Sequence, residues 1–188
     1  TASPNDAYRY AKGEGIMHPM GYEMKLQEPL DFYSVTDHGF FMGMMNAWAD
    51  TSTDISQNDF AIPFHNLNED DNLTVESAGP RSALFSSILG GTIATTHGDF
   101  HPNTLKAWLT KNTQKALKSF DYDIHKSAWE DVARAANEHN DPGHFTTFIG
   151  YEFTTSTNVE GGNLHRNVIF NSSKASIRPW TRIDSINP

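Results

Sequence analysis

The spacing of apolar residues is clearest in the last third of the chain, where two strand-like runs flank a polar segment. Phe145–Glu152 is apolar and aromatic and ends in a carboxylate, and Leu164–Phe170 is apolar again. Residues 153–163 between them are rich in Thr, Ser, Asn and Gly and show no helical periodicity. A parallel crossover needs about a dozen residues or more, so the second run is predicted to return antiparallel to the first.

Upstream of this hairpin, apolar residues recur at helical spacing in several segments. The predicted helices begin at Pro4 after the N-cap residue Ser3, span Phe40–Ala49, Ala83–Leu89 and Asn103–Phe120, and begin again at Ser127. Ser127 and Glu130 have the spacing of a capping box, which marks a helix N-terminus. The sequence Asp-Pro-Gly at 141–143 is expected to end that helix just before the hairpin.

Shorter strands are predicted nearer the start of the chain. Residues 22–26 alternate between apolar and charged side chains, which is typical of a half-exposed strand. Leu30–Val35 is aromatic and β-branched, which favours a buried strand. Residues 50–72 are expected to form a loop, and residues 171–188 an exit segment. Helices alternating with strands indicate the α/β class, and we expect one domain over residues 1–188.

Composition narrows the classes of protein that this chain can belong to. Its 188 residues are 37% apolar and 12% aromatic, which indicates a globular protein with a sizeable core. With 23 acidic and 14 basic residues the net charge is −9, so no nucleic-acid partner is expected. No apolar run approaches the roughly 20 residues that span a bilayer, so no membrane partner is expected.

Several kinds of catalytic site are excluded or disfavoured. Cysteine is absent, so disulfides, thiolate zinc sites and a cysteine nucleophile are impossible. The sequence shows no G-x-S-x-G element and no glycine-rich phosphate loop, which disfavours serine hydrolases and nucleotide-binding proteins. No signal peptide is visible, so both an exported or periplasmic and a cytoplasmic location in a bacterium stay open.

Two strand ends carry side chains that suit metal binding and acid–base chemistry. Asp37 and His38 directly follow the strand Leu30–Val35 and its Thr36, and Glu152 ends the first strand of the hairpin. Histidine is a common metal ligand, and a carboxylate can bridge cations or act as a general base. Asp37 can either orient a ligand or bind directly. Taken alone, a turn-capping role is an equally good interpretation of His38, and a surface role is the better interpretation of Glu152.

The hairpin strengthens the interpretation because it brings a second histidine to Glu152. His165 opens the returning strand and is therefore expected beside Glu152, at the same end of the sheet. Arg166 points to the opposite face in a regular strand, but it reaches an anionic substrate if the strand start is irregular. His97 and His101 form H-x-x-x-H, yet the adjacent Gly and Pro favour a loop over a metal site. The other histidines are expected in loops or at helix ends, solvated or capping: His18, His65, His125, His139 and His144.

A family resemblance extends over most of the chain. The runs SPNDAYRYAKGE and PLDFYSVTDH near the start, SAWEDVARAANEHNDPGHFTTFIGYE at 127–152 and NLHRNVIF at 163–170 resemble the DUF3604 family. That family is similar to the PHP (polymerase and histidinol phosphatase) superfamily. The resemblance implies a distorted (β/α)7, TIM-like barrel that binds two or three Zn, Mn or Fe ions and hydrolyses phosphate esters.

Carried over residue by residue, the resemblance implies a set of functional residues. His38, Glu152 and His165 become metal ligands, with Glu152 bridging. Asp37 becomes a supporting acid, so that Asp37 and Glu152 are the catalytic carboxylates, and Arg166 is the candidate substrate contact. The superfamily's first-strand H-x-H motif and its later D-x-H motif, expected beyond Pro188, are absent, which implies a barrel without its first strand and last elements, and incomplete metal occupancy. The motifs were either cut away or lost in a degenerate relative.

Two functions from different classes follow as expectations. The first is a metal-dependent hydrolase, phosphoesterase-like, that acts on a small anionic ester and to which this chain contributes part of the metal site. The second is a non-catalytic binding domain that keeps the PHP-like fold. An incomplete barrel exposes sheet edges, so a homo-oligomer is a further expectation.

Overall fold

The computed structural model describes residues 2–18, 21–67, 69, 74–89, 111–156, 163–181 and 183–184. Its helices are α1 Pro4–Ala11, α2 Met44–Ala49, α3 Val75–Leu89, α4 Lys111–Lys118 and α5 Tyr122–His139. Its strands are β1 Ile16–Met17, β2 Glu23–Met24, β3 Phe32–Tyr33, β4 Thr146–Thr147, β5 Ile149–Ser156 and β6 Asn163–Phe170. None of the helices in these ranges has the length and apolar character to cross a membrane.

The expected distorted (β/α)7, TIM-like barrel is wrong. Within the described ranges the strands form three separate two-stranded sheets, and no barrel closes. Closure requires a continuous ring of paired strands, whereas β1 to β4 are two residues long each. The longest pairing, β5 with β6, is antiparallel. The described part of the protein is therefore mixed α/β without a TIM-like barrel.

One parallel pairing joins two stretches that lie far apart in sequence. β3 pairs with β4, with Phe32 beside Thr146, and the same register reaches a bridge between His38 and Glu152. At that bridge the Glu152 N–H donates to the Asp37 carbonyl at 2.8 Å, and the Gly39 N–H donates to the Glu152 carbonyl at 2.9 Å. His38, in the segment after β3, and Glu152, in β5, therefore lie at the same level of the structure.

The predicted antiparallel hairpin is confirmed. β5 and β6 pair over their full length, from Ile149 beside Phe170 to Ser156 beside Asn163. The register places His165 beside Thr154, two residues beyond Glu152. The start of β6 therefore lies beside the end of β5, as expected, but β5 continues to Ser156, so the predicted strand end at Glu152 is wrong.

The core sits on one face of these strands, against helices α1 and α5. It consists of buried apolar side chains from both layers: Tyr8, Ala11, Val35, Trp129, Val132, Ala135, Ala136, Phe145, Ile149, Tyr151 and Phe153. A second cluster surrounds Trp48 and Met44 of α2, both fully buried. Because the first core occupies one face, it leaves the other face of β5 available for polar side chains.

The helix starts show where local sequence signals succeeded and failed. Ser3 caps α1 as predicted, and its side chain accepts from the Asp6 N–H. α5 begins at Tyr122, so the predicted start at Ser127 is wrong. Asp121 is the actual N-cap, because its carboxylate accepts from the N–H groups of Asp123 and Ile124. Ser127 consequently lies inside the helix.

Other differences concern burial and segment length. The strand predicted as buried over Leu30–Val35 is restricted to Phe32 and Tyr33, and Phe32 is 66% exposed. The loop expected at 50–72 contains short 3-10 helices at Asp54–Gln57 and Ile62–Phe64. α3 begins at Val75, earlier than the predicted Ala83. Of the helix predicted over Asn103–Phe120, residues 103–110 lie outside the described ranges.

Candidate metal centre

Two imidazoles and one carboxylate converge where the segment after β3 meets the hairpin of β5 and β6. His38 Nδ1 contacts Glu152 Oε2, and His165 Nδ1 lies 3.0 Å from the same oxygen. One ligand atom from each of the three residues lies within 4.8 Å of the other two. The structure thus brings together all three residues that the sequence predicted as metal ligands.

Backbone pairing explains why these side chains meet. Glu152 and Thr154 are two residues apart on β5, so their side chains share one face of the strand. Directly paired residues of an antiparallel ladder also share a face, which places His165 with Thr154. The parallel bridge adds His38 beside Glu152 from the other side. Three backbone positions from distant parts of the sequence therefore supply one site.

The cluster lies at the surface but is not fully solvated. The side chains of His38 and His165 are 40% and 43% exposed, and that of Glu152 is 18% exposed. A small ligand can reach the imidazoles, whereas the carboxylate is mostly covered by protein. His38 is also flanked by the aromatic rings of Phe40 and Phe85, whose centroids lie 5.2 and 6.5 Å from its own.

The electrostatic surroundings of Glu152 keep it ionised. Burial is the largest single influence and by itself raises the pKa of this carboxyl. Hydrogen bonds from His165 and Thr154, together with the nearby charge of His38, outweigh burial and hold the pKa below its ordinary value. An ionised carboxylate is the form that binds a metal cation.

Thr154 is a member of the cluster that sequence reasoning missed. Its hydroxyl lies 2.7 Å from Glu152 Oε2, 2.7 Å from His38 Nδ1 and 3.5 Å from His165 Nδ1. The residue is 5% exposed. No local signal points to it, because the strand was predicted to end at Glu152, whereas β5 continues to Ser156 and places Thr154 on the same face as Glu152.

Asp37 adjoins the cluster through its backbone. Its carbonyl accepts the Glu152 N–H. The residue is exposed, yet enough protein surrounds its carboxyl that loss of solvation raises the pKa, which the charge of His38 partly offsets. Alternation along the strand places Asp37 on the face opposite His38. Its catalytic role stays a prediction.

Arg166 is not brought into the cluster. It pairs with Phe153 in a regular ladder, and Phe153 belongs to the core. The register therefore places Arg166 on the opposite face from His165, as a regular strand requires. The residue is exposed, and its role as a substrate contact stays a prediction.

Among the described residues, none of the other histidines belongs to the metal-binding group. His97 and His101 lie outside the described residues. His125, which was expected to be solvated or capping, is fully buried, and that prediction is wrong. Its Nε2 lies 2.7 Å from the Gly39 carbonyl, while its Nδ1 has no hydrogen-bond partner. Burial lowers the pKa of His125, so Nε2–H of the neutral ring donates to Gly39.

The donor set fits a divalent transition metal. Imidazole suits Zn and Fe, and carboxylate oxygen extends the range to Mn. Two histidines and one glutamate form a known kind of catalytic zinc set, in which a fourth position stays open for water or substrate. His38, Glu152 and His165 meet these requirements in residue type, proximity and exposure. The geometry does not select one metal among the three.

Comparison with known proteins identifies the family. The family model described as "Protein of unknown function (DUF3604)" matches residues 1–188. The chain therefore belongs to the DUF3604 family. No curated protein and no solved structure matches it.

Proposed function

We propose that this member of the DUF3604 family is a metal-dependent hydrolase of phosphoesterase type that acts on a small anionic ester. The supporting observation is the convergence of His38, Glu152 and His165 at one accessible point. The family description names no reaction. The phosphoesterase class comes from the resemblance to the PHP superfamily and is part of the proposal.

In this proposal each residue of the cluster has a defined task. His38, Glu152 and His165 hold the metal. When bound, such an ion lowers the pKa of a water molecule and polarises the phosphoryl oxygen. Glu152 stays ionised through its hydrogen bonds, and the exposed imidazole edges leave room for the ester. Asp37 and Arg166 are candidates for supporting acid–base and substrate contacts.

The test combines metal analysis with turnover. Untagged protein is analysed for Zn, Mn and Fe, and hydrolysis of p-nitrophenyl phosphate is measured with each metal added. We expect His165→Ala to bind metal at least about 10-fold more weakly and to lose metal-dependent turnover.

His144→Ala is the matched control, since His144 is 82% exposed and pairs with Asp141 away from the cluster. It should behave like the wild type in both assays. If the wild type retains none of the three metals and His165→Ala changes nothing, the proposal is abandoned.

A non-catalytic binding domain is the second candidate. One observation favours it: the described residues supply one three-ligand cluster, whereas two-metal phosphoesterases need further ligands. This candidate predicts tight metal binding without turnover of phosphate or sulfate esters. Turnover that scales with bound metal rejects it.

A further inference from the structure

The hydroxyl of Thr154 is the most protected polar group of the cluster. Thr154 is 5% exposed, whereas the side chains of His38 and His165 are 40% and 43% exposed. The threonine is therefore more closely packed than the two imidazoles. A closely packed group beside exposed ligands is well placed to orient them.

The hydrogen-bond capacity of the hydroxyl matches the groups around it. A threonine hydroxyl has one proton to donate and two lone pairs that accept. Thr154 Oγ1 donates to Glu152 Oε2 at 2.7 Å. Its lone pairs then face His38 Nδ1 at 2.7 Å and His165 Nδ1 at the longer distance of 3.5 Å.

We propose that Thr154 is a positioning residue that holds the Glu152 carboxylate and the His38 ring in the orientation that binds metal. The inference rests on the proposed function in one respect, namely that the cluster binds a metal. Free Glu and His side chains lose rotamer freedom when they coordinate an ion. A hydroxyl that already restrains them removes part of that loss, and metal affinity rises accordingly.

Alternation along β5 explains why threonine suits this position. Residue 154 must lie on the face of Glu152 and beside His165 in the hairpin. A β-branched side chain also has few χ1 rotamers, so its hydroxyl is aimed with little freedom. Serine retains the hydroxyl with more freedom, and valine retains the shape without the hydroxyl.

The test compares Thr154→Val with Thr154→Ser by titrating the whole chain with Co²⁺ and recording visible absorption. We expect Thr154→Val to bind Co²⁺ about 10–100-fold more weakly than the wild type and to show an altered ligand-field spectrum. Thr154→Ser should restore affinity to within about 3-fold and restore the spectrum.

Thr147→Val is the matched control. The Thr147 hydroxyl donates to the Ala136 carbonyl, away from the cluster. Its loss should lower the thermal unfolding midpoint and leave Co²⁺ affinity and spectrum unchanged.

The outcomes separate this inference from the proposed function. Equal Co²⁺ affinity and spectra for wild type and Thr154→Val overturn the positioning role alone. A wild type that binds no Co²⁺ overturns both. If the wild type binds Co²⁺ but hydrolyses no ester, the proposed hydrolase activity is rejected. In that case weaker Co²⁺ binding by Thr154→Val still supports the positioning role.

Discussion

At the scale of single residues, the pKa values of two carboxyl groups are set by the hydrogen-bond donors around them. Glu152 and Asp184 are both largely covered by protein, and burial alone would raise the pKa of each. Both have lowered pKa values, because hydrogen bonds and positive charge outweigh burial. In Asp184 the donors are Arg178 and Thr181. The same balance between burial and hydrogen bonding therefore keeps Glu152 ionised as a candidate metal ligand and Asp184 ionised as the partner of Arg178.

The Asp184–Arg178 pair predicts a pH dependence of stability. The Asp184 side chain is 6% exposed, and both guanidinium NH groups of Arg178 reach it. A carboxyl whose pKa is lower in the folded state stabilises the protein above its unfolded pKa. That contribution is lost as pH falls below the ordinary aspartate value of 3.8 and through the lower folded pKa.

Asp184→Asn should therefore reduce the free energy of unfolding by about 1.5–3 kcal/mol at pH 7. Its difference from the wild type should shrink below pH 4. Urea unfolding of both proteins at several pH values measures this. Asp131→Asn removes an exposed i,i+3 pair with Arg134 and should change stability by less than about 1 kcal/mol at any of these pH values. A difference for Asp184→Asn that persists at low pH contradicts the prediction.

At the scale of elements, two N-cap signals compete for the start of α5. Ser127 and Glu130 match a capping box, and Asp121 is a single capping residue six positions earlier. The structure uses Asp121, and the residues it adds include the buried His125. Extending the helix buries more of one face against the core, and tertiary packing decides between local signals of similar strength.

Alanine substitution distinguishes the two starts. Asp121→Ala removes an acceptor for two backbone N–H groups, at 2.8 and 3.1 Å, and should lower the free energy of unfolding by about 1 kcal/mol. Ser127→Ala, at an exposed position inside the helix, should change it by less than about 0.5 kcal/mol. Urea unfolding of the two variants measures both changes. If Ser127→Ala lowers the free energy of unfolding more than Asp121→Ala does, the helix begins at Ser127 and the prediction is wrong.

At the scale of the whole molecule, the cluster depends on close approach of two strands that are distant in sequence. Gly150 allows this approach. A Cβ added there would lie 2.7 Å from the Ser34 hydroxyl oxygen, 2.9 Å from Ile169 Cδ1 and 3.1 Å from Thr36 Cγ2. Glycine is therefore needed at this position for packing.

Gly150→Ala should destabilise the protein by about 1–3 kcal/mol, because the added Cβ crowds the side chains of Ser34, Ile169 and Thr36. It should also weaken metal binding, since His38 and Glu152 lie two positions further along the same strands. Gly79→Ala is the control: a Cβ on this glycine of α3 meets nothing within 4 Å, and the change should stabilise by up to about 1 kcal/mol. Thermal unfolding and Co²⁺ titration measure the two effects. If Gly150→Ala affects neither property, the close approach is not required.

Local sequence predicted much of the site and less of the fold. The short segment between two apolar runs predicted the hairpin. The hairpin in turn predicted that His165 lies beside Glu152. Thr154 was missed because a threonine in a strand carries no chemical signal until its neighbours are known. The buried His125 was misjudged because its burial depends on packing of α5 against residues far away in sequence.

The sequence by itself determined the first helix cap and the hairpin that brings His165 near Glu152, because periodicity and turn chemistry act over a few neighbouring residues. Only the tertiary structure decided that His38 lies beside Glu152, that α5 begins at Asp121, and that the described strands form no barrel. Those outcomes depend on parallel pairing and core packing between distant segments, for which local patterns carry no information on distance or register.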